Sequence, residues 1–100
     1  MIRIRSVQAL DDYWLRLTLT DGSVVDRHVR ALLEGPVFEA LRSDYDLFRR
    51  ARARAGTVVW PGDVDLDPNV LIWNGPAPQD PTAKPEPSLT IVDPRSVVAA

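Results

Sequence analysis

A chain of 100 residues, 45% apolar and 26% charged, has the composition of one small globular domain. Its formal net charge of −2 gives nucleic-acid binding no support, and the absence of cysteine excludes disulfides and thiolate metal sites. No apolar run is long enough to span a membrane, and the N-terminal "MIRIRSVQALDD" lacks the apolar stretch of a signal peptide, so a cytoplasmic protein is expected.

Residues 2–7, "IRIRSV", alternate: Ile2 and Ile4 face a core while Arg3 and Arg5 face water, as in a half-buried strand. In residues 12–26, "DYWLRLTLTDGSVVD", Tyr13, Leu15, Leu17 and Leu19 point one way and Trp14, Arg16, Thr18 and Thr20 the other. Asp21 and Gly22 supply a tight hairpin turn, with Val24 and Val25 on the returning strand. The period then changes. Over residues 27–43, Val29, Leu32 and Leu33 fit a helical turn or two, Gly35-Pro36 interrupts, and Val37, Phe38 and Leu41 form a second short apolar face. Asp26 is expected to cap this helix, with His28 on its surface.

In residues 44–56, Arg50, Arg52 and Arg54 alternate with Ala51, Ala53 and Ala55. Both residue types favour helix, but the period of two and the following Gly56 favour a hairpin. Residues 48–54 are therefore read as a strand with the arginines on its solvated face. "TVVW", residues 57–60, is the next strand, ended by Pro61-Gly62. Residues 74–88 have linker composition. Eight of the nine prolines lie beyond residue 60, where six acids face two bases, against ten arginines and eight acids before it. The reading is a compact domain over residues 1–75 and a Pro-rich linker and C-terminal tail over 76–100. Within that tail, residues 89–93 are an edge strand or a segment that docks on a partner. The fold class is α+β: a small antiparallel sheet, a short and broken helical segment, and an extended Pro-rich C-terminal tail.

Three groups of residues invite a chemical reading. Asp63, Asp65 and Asp67 have the spacing of a calcium loop, but the later glycine and bidentate glutamate of such a loop are missing. They are read as turn residues that accept backbone N–H bonds. His28 is the single histidine, and imidazole titrates near neutrality, which suits a general base. Ser23 and Asp26 are near it in sequence, yet a triad requires geometry that local spacing does not supply. No catalytic, cofactor-binding or metal-ligating residue is assigned, and no cofactor is expected. Arg49, Arg50, Arg52 and Arg54 suit phosphates or a protein surface, and the acidic totals favour protein. Arg50, Arg52 and Arg54 are thus possible interface residues. Trp14, an aromatic on the polar face of its strand, joins them as an interface anchor or a platform for the tail. Phe38, Phe48 and Trp60 are assigned to the core.

An ordered set of segments also carries a resemblance: Asp21-Gly22 and Asp26; Gly35-Pro36-Val37-Phe38 and Leu41; Asp44 and Phe48; then Trp60-Pro61-Gly62, Asp65, Leu66 and Pro68. Over roughly residues 4–72 the chain resembles the small bacterial family called domain of unknown function 2442. Many members read Trp-Pro-Asn-Gly-Ala-Asp where this chain reads "WPGDVD". The resemblance implies a compact α+β domain with an antiparallel sheet and no established activity. It marks Asp21, Gly22, Asp26, Phe38, Trp60, Pro61, Gly62, Asp65 and Pro68 as a structural signature, with Asp65 bonded to nearby backbone. Some relatives carry a DNA-binding helix-turn-helix after this domain, and some lie beside another small protein in the genome. The expectation is a small non-enzymatic protein-interaction or regulatory domain that engages a protein partner or a second copy, with neither nucleic acid nor membrane as its target. The alternatives are an antitoxin-like or nucleic-acid-associated regulator, and an enzyme in which carboxylates and His28 converge in a pocket.

Overall fold

In the computed structural model, which describes residues 1–92, the alternating stretches become strands. β1 (Ile4–Ala9), β2 (Trp14–Leu19) and β3 (Val24–His28) form an antiparallel meander. Leu15, Leu17 and Leu19 on β2 and Val25 on β3 are buried on one face. A bulge between Ile4 and Ser6 leaves both Arg5 and Ser6 exposed while Ile4 and Val7 reach the core. Gly22, at φ +90°, supplies the left-handed step of the β2–β3 turn, and the Asp21 carboxylate accepts from the Ser23 N–H and hydroxyl at 3.0 and 2.6 Å. The β1–β2 turn is less usual. Asp12 and Tyr13 both have positive φ (56° and 62°), a conformation a tyrosine disfavours. It is held from outside the turn: the Tyr13 N–H donates to the Tyr45 hydroxyl at 3.0 Å, and the Tyr13 hydroxyl donates to the Arg42 carbonyl at 2.7 Å.

The helix expected from residue 27 begins later. β3 continues through His28, so Asp26 is a mid-strand residue rather than a helix cap, and His28 lies on the sheet. The cause is Arg27, which takes an inward position between Val25 and Val29 and is fully buried. Two single 3₁₀ turns follow, Arg30–Leu32 and Pro36–Phe38, and then α1 (Glu39–Ser43) and α2 (Tyr45–Phe48). Val37, expected on an apolar face, is exposed, whereas Phe38 packs against the core. The Asp44 carboxylate caps α2, accepting from the N–H groups of Asp46 and Leu47. This cap corrects the strand expected over 48–54: Phe48 ends a helix, and only β4 (Arg52–Arg54) is extended.

β4 turns into β5 (Thr57–Trp60) through Ala55-Gly56, both at positive φ (52° and 83°), the geometry of a two-residue hairpin loop. Pro61-Gly62-Asp63 then leads to β6 (Val64–Asp65), which pairs with β5. A further helix, α3 (Pro68–Trp73), lies where the alternating aspartates suggested only a turn. The Asp67 carboxylate accepts from the Asn69 N–H at 2.9 Å, Pro68 opens the helix, and Asn74 closes it in the left-handed conformation at φ 55°.

The strands form two sheets, ordered β1-β2-β3-β7 and β4-β5-β6, largely antiparallel, which with the short helices makes an α+β fold. The sheets meet where β1 runs beside β4 and the Ile4 N–H donates to the Gly56 carbonyl at 3.1 Å. Between them lies one core. Trp60 is fully buried, its indole N–H donates to the Phe48 carbonyl at 2.9 Å, and the Tyr13, Tyr45 and Phe48 rings stack edge-on or tilted beside it at centroid distances of 5.0–5.7 Å. After α3 the chain makes an excursion and returns. β7 (Ser88–Thr90), the strand expected near 89–93, pairs in parallel with β3. Ile91 is fully buried, its N–H donates to the His28 carbonyl at 2.9 Å, and the Val92 N–H reaches the Asn74 side-chain oxygen at 3.3 Å. The rest of the expected tail, residues 93–100, lies outside the described residues.

Candidate functional site

The groups proposed for chemistry separate in space. Trp14 and His28 are partners across β2 and β3, their rings tilted at 5.2 Å on the solvent side of the first sheet. His28 Nε2 stands 4.0 Å from Asp12 Oδ2. Asp26 is engaged elsewhere: it faces Arg16 across the strands, and the guanidinium donates to both carboxylate oxygens at 2.9 and 3.0 Å. That hydrogen bonding holds the Asp26 carboxyl below its ordinary pKa and raises that of Arg16. Ser23, in the turn, gives its hydroxyl to Asp21. Ser23, Asp26 and His28 therefore do not assemble.

The three alternating aspartates also part company. Asp63 lies 3.4 Å from Arg54, both side chains being largely exposed. Asp67 caps α3. Asp65 is exposed on β6, which corrects the expectation that it holds the turn through backbone bonds; Asp67 does that instead. Among the described residues no group of three or more His, Asp and Glu side chains has the arrangement of a metal site. Of the remaining signature residues, Pro61 and Gly62 (φ +89°) make the β5–β6 turn and Pro68 is the first residue of α3.

A different surface does assemble. Arg3 just before β1, Arg5 on it, and Arg52 and Arg54 on β4 are all exposed, because Ile4 and Ala53 between them turn toward the core. The two strands are neighbours, and the Arg3 side chain lies along the β4–β5 turn: a Cβ on Gly56 would sit 3.1 Å from Arg3 Cδ. Arg50 is exposed just before β4. Arg49 turns aside to the Tyr45 ring, 5.3 Å from its centroid, and to Asp11 at 3.4 Å. Among the described residues, Arg3, Arg5, Arg50 and Arg52 form no ion pair. An open hollow of ≈ 150 Å³ continues the surface from Arg54 over Thr57 and Val59 to Asp63 and Asp65. Arg52 and Arg54 were legible as a solvated row. Arg3 and Arg5 carry the same alternation, but nothing local says that they lie beside β4.

The family described as Protein of unknown function (DUF2442) matches residues 4–77. No curated protein and no solved structure matches the chain.

Proposed function

Because the chain belongs to the DUF2442 family, whose description assigns no activity, we propose a role read from its own surface: a non-enzymatic protein-interaction domain that binds an acidic partner through Arg3, Arg5, Arg52 and Arg54. The observation that carries this reading is an arginine surface, drawn from the start of β1 and from β4, on a chain whose net charge is −2. Guanidinium groups fork onto carboxylates with two parallel hydrogen bonds, and arginine is enriched at interfaces for that reason. Asp63 and Asp65 at the rim of the same face repel a continuous phosphate backbone but suit a protein, which offers donors as well as carboxylates. The separation of His28 from Ser23 and Asp26 supports the non-enzymatic part of the reading. No helix among the described residues is long and apolar enough to cross a membrane, and the cysteine-free composition supports a cytoplasmic location.

The test compares wild type with the triple variant R3E/R5E/R52E, its fold verified by circular dichroism and a urea melt. Tagged protein is used to capture partners from host cells at about 0.05 and about 0.5 M salt, which differ several-fold in screening length. A stoichiometric protein retained by wild type, and lost both in the variant and at high salt, is the expected result. Partners that ignore the arginines overturn the proposal. A DNA gel shift that tracks the same three residues replaces it with the nucleic-acid regulator.

A further inference from the structure

The C-terminal excursion holds on at its end and hardly at all along its length. Residues 75–87 include five prolines, at 76, 78, 81, 85 and 87. Gly75, Ala83 and Pro85 are half-buried and the others exposed, and the segment borders a cavity of ≈ 270 Å³ lined by Ile2, Asn69 and Trp73 from the body and by Pro78, Pro81 and Ala83 from the linker. One ion pair, Lys84 to Asp21 at 3.4 Å between a well-exposed ammonium and the turn, crosses from linker to body. The specific contacts come afterwards. The Asp26 N–H donates to the Pro87 carbonyl at 2.8 Å, Ser88, Leu89 and Thr90 pair with Asp26, Arg27 and His28, and Ile91 enters the core.

The excursion also has to double back, since Val92 ends beside Asn74. Proline-rich chain is biased toward the extended polyproline conformation and resists reversal. The reversal is made at Asp80-Pro81-Thr82-Ala83. There the Ala83 N–H donates to the Asp80 carbonyl at 3.1 Å, and the Asp80 carboxylate accepts from the Thr82 N–H and hydroxyl at 2.9 and 2.7 Å. Straightened, thirteen residues reach about 40 Å at ~3.1 Å each. The longest dimension of the protein is 39 Å.

We propose that the C-terminal strand exchanges between copies: β7 and Ile91 of one chain occupy the β3 edge of a second, in a two-fold dimer in which each copy completes the other's core. The occupant is a second copy because the vacated site asks for a parallel three-residue strand followed one residue later by a buried isoleucine side chain. An identical chain carries that segment. Nothing is lost in the exchange except the Asp80 turn and the loose cover over the cavity, and the linker is released from its reversal. A short tether holds its strand at an effective concentration of order millimolar, so the closed monomer dominates below that range and the exchanged dimer appears near it.

The absence of cysteine in the sequence permits an unambiguous test. Two full-length chains, H28C and T90C, are mixed in equal amounts near ~1 mM. The two positions are β3–β7 partners, so the unlike thiols are held side by side when the strand of one chain lies on the sheet of the other, whereas random encounter yields only as much heterodimer as the two homodimers together. The experiment is run at about 0.5 M salt, where arginine-face contacts are screened, so it fails or succeeds independently of the function proposed above. The expected result is a disulfide-linked heterodimer in several-fold excess over the homodimers, with the yield rising further when Asp80→Ala is added to both chains. No excess of the heterodimer, with or without Asp80→Ala, overturns the proposal. Light scattering on the unmodified protein at the same concentration is a second reading that needs no variant: a strict monomer also overturns it.

Discussion

Arg27 fills a place that most strands give to an aliphatic side chain. Its guanidinium is fully buried and faces the C-terminal end of α3, where the last carbonyls lack intrahelical partners. Nε donates to the Leu71 carbonyl at 2.7 Å, Nη2 to Ile72 at 3.0 Å, and Nη1 to Asp26 at 2.8 Å. Burial lowers its pKa, and the Asp26 and Glu86 carboxylates oppose that shift. Arg27→Met keeps the stem and removes the donors, stranding two helix-end carbonyls in the interior. A loss on the order of 2–5 kcal/mol is expected from urea denaturation. An unchanged midpoint would show that these carbonyls find water instead. Trp60→Ala removes the largest buried side chain together with the donor to Phe48, and about 3–5 kcal/mol should be lost in the same assay. Trp60 was legible as core because a tryptophan closing an apolar strand has few other places to go. Arg27 was not, because a charged residue at an inward position breaks the alternation by which a strand is recognised. That one residue hid the end of β3 and turned Asp26 into an apparent helix cap.

At the scale of elements, turns and cross-strand pairs decide what the alternation leaves open. Ala55 adopts the left-handed conformation at the first position of its two-residue turn, where asparagine before glycine is preferred. Ala55→Asn should therefore raise stability by about 0.5–1 kcal/mol, visible as a higher Tm. A lower Tm would mean that the alanine methyl makes a contact worth more than the backbone strain. The Arg16–Asp26 pair ties β2 to β3 with a depressed carboxyl pKa. Its stabilisation is complete above the unfolded-state value, about 3.9, and is lost as pH falls through the lower folded-state value. Wild type should thus exceed Asp26→Asn in urea midpoint at pH 7, and the gap should close in strong acid. A gap that persists at pH ~2 would assign the effect to packing. Some short elements are marked by their ends and not by a period. Asp67 before α3, Pro68 at its first position and Asn74-Gly75 after it mark a six-residue helix with a cap, a proline start and a left-handed stop. α1 and α2, of five and four residues, are too short for any period to show, and the Asp44 cap is their clearest mark.

For the molecule as a whole, the decisive contacts join residues far apart in sequence. β1 meets β4 across some fifty residues, and this places four arginines on one surface. The alternation shows that each is exposed, and only the long-range pairing makes them neighbours. The return of β7 is of the same kind. Its composition reads as linker up to Pro87, and the short apolar run after it fits its own sheet or that of a partner equally well. Ile91 touches the common core, so Ile91→Ala should cost about 2–4 kcal/mol and do so globally. Trp60 fluorescence and far-ultraviolet circular dichroism should still report one shared transition in urea. A tail signal that melts separately, with the Trp60 transition unmoved, would show that β7 and Ile91 are an appendage and not part of the cooperative unit.

The order of synthesis gives the late strand a further meaning. β1, β2 and β3 pair locally and can form as they emerge, but the core among the described residues stays open until Ile91 is made. Sixteen residues lie between Asn74 and Ile91, which at typical elongation rates is about 1–3 s of synthesis. Until that strand is in place, the β3 edge and the place of Ile91 have no occupant from their own chain, so the sheet is finished last at the edge that depends on the most distant stretch of sequence.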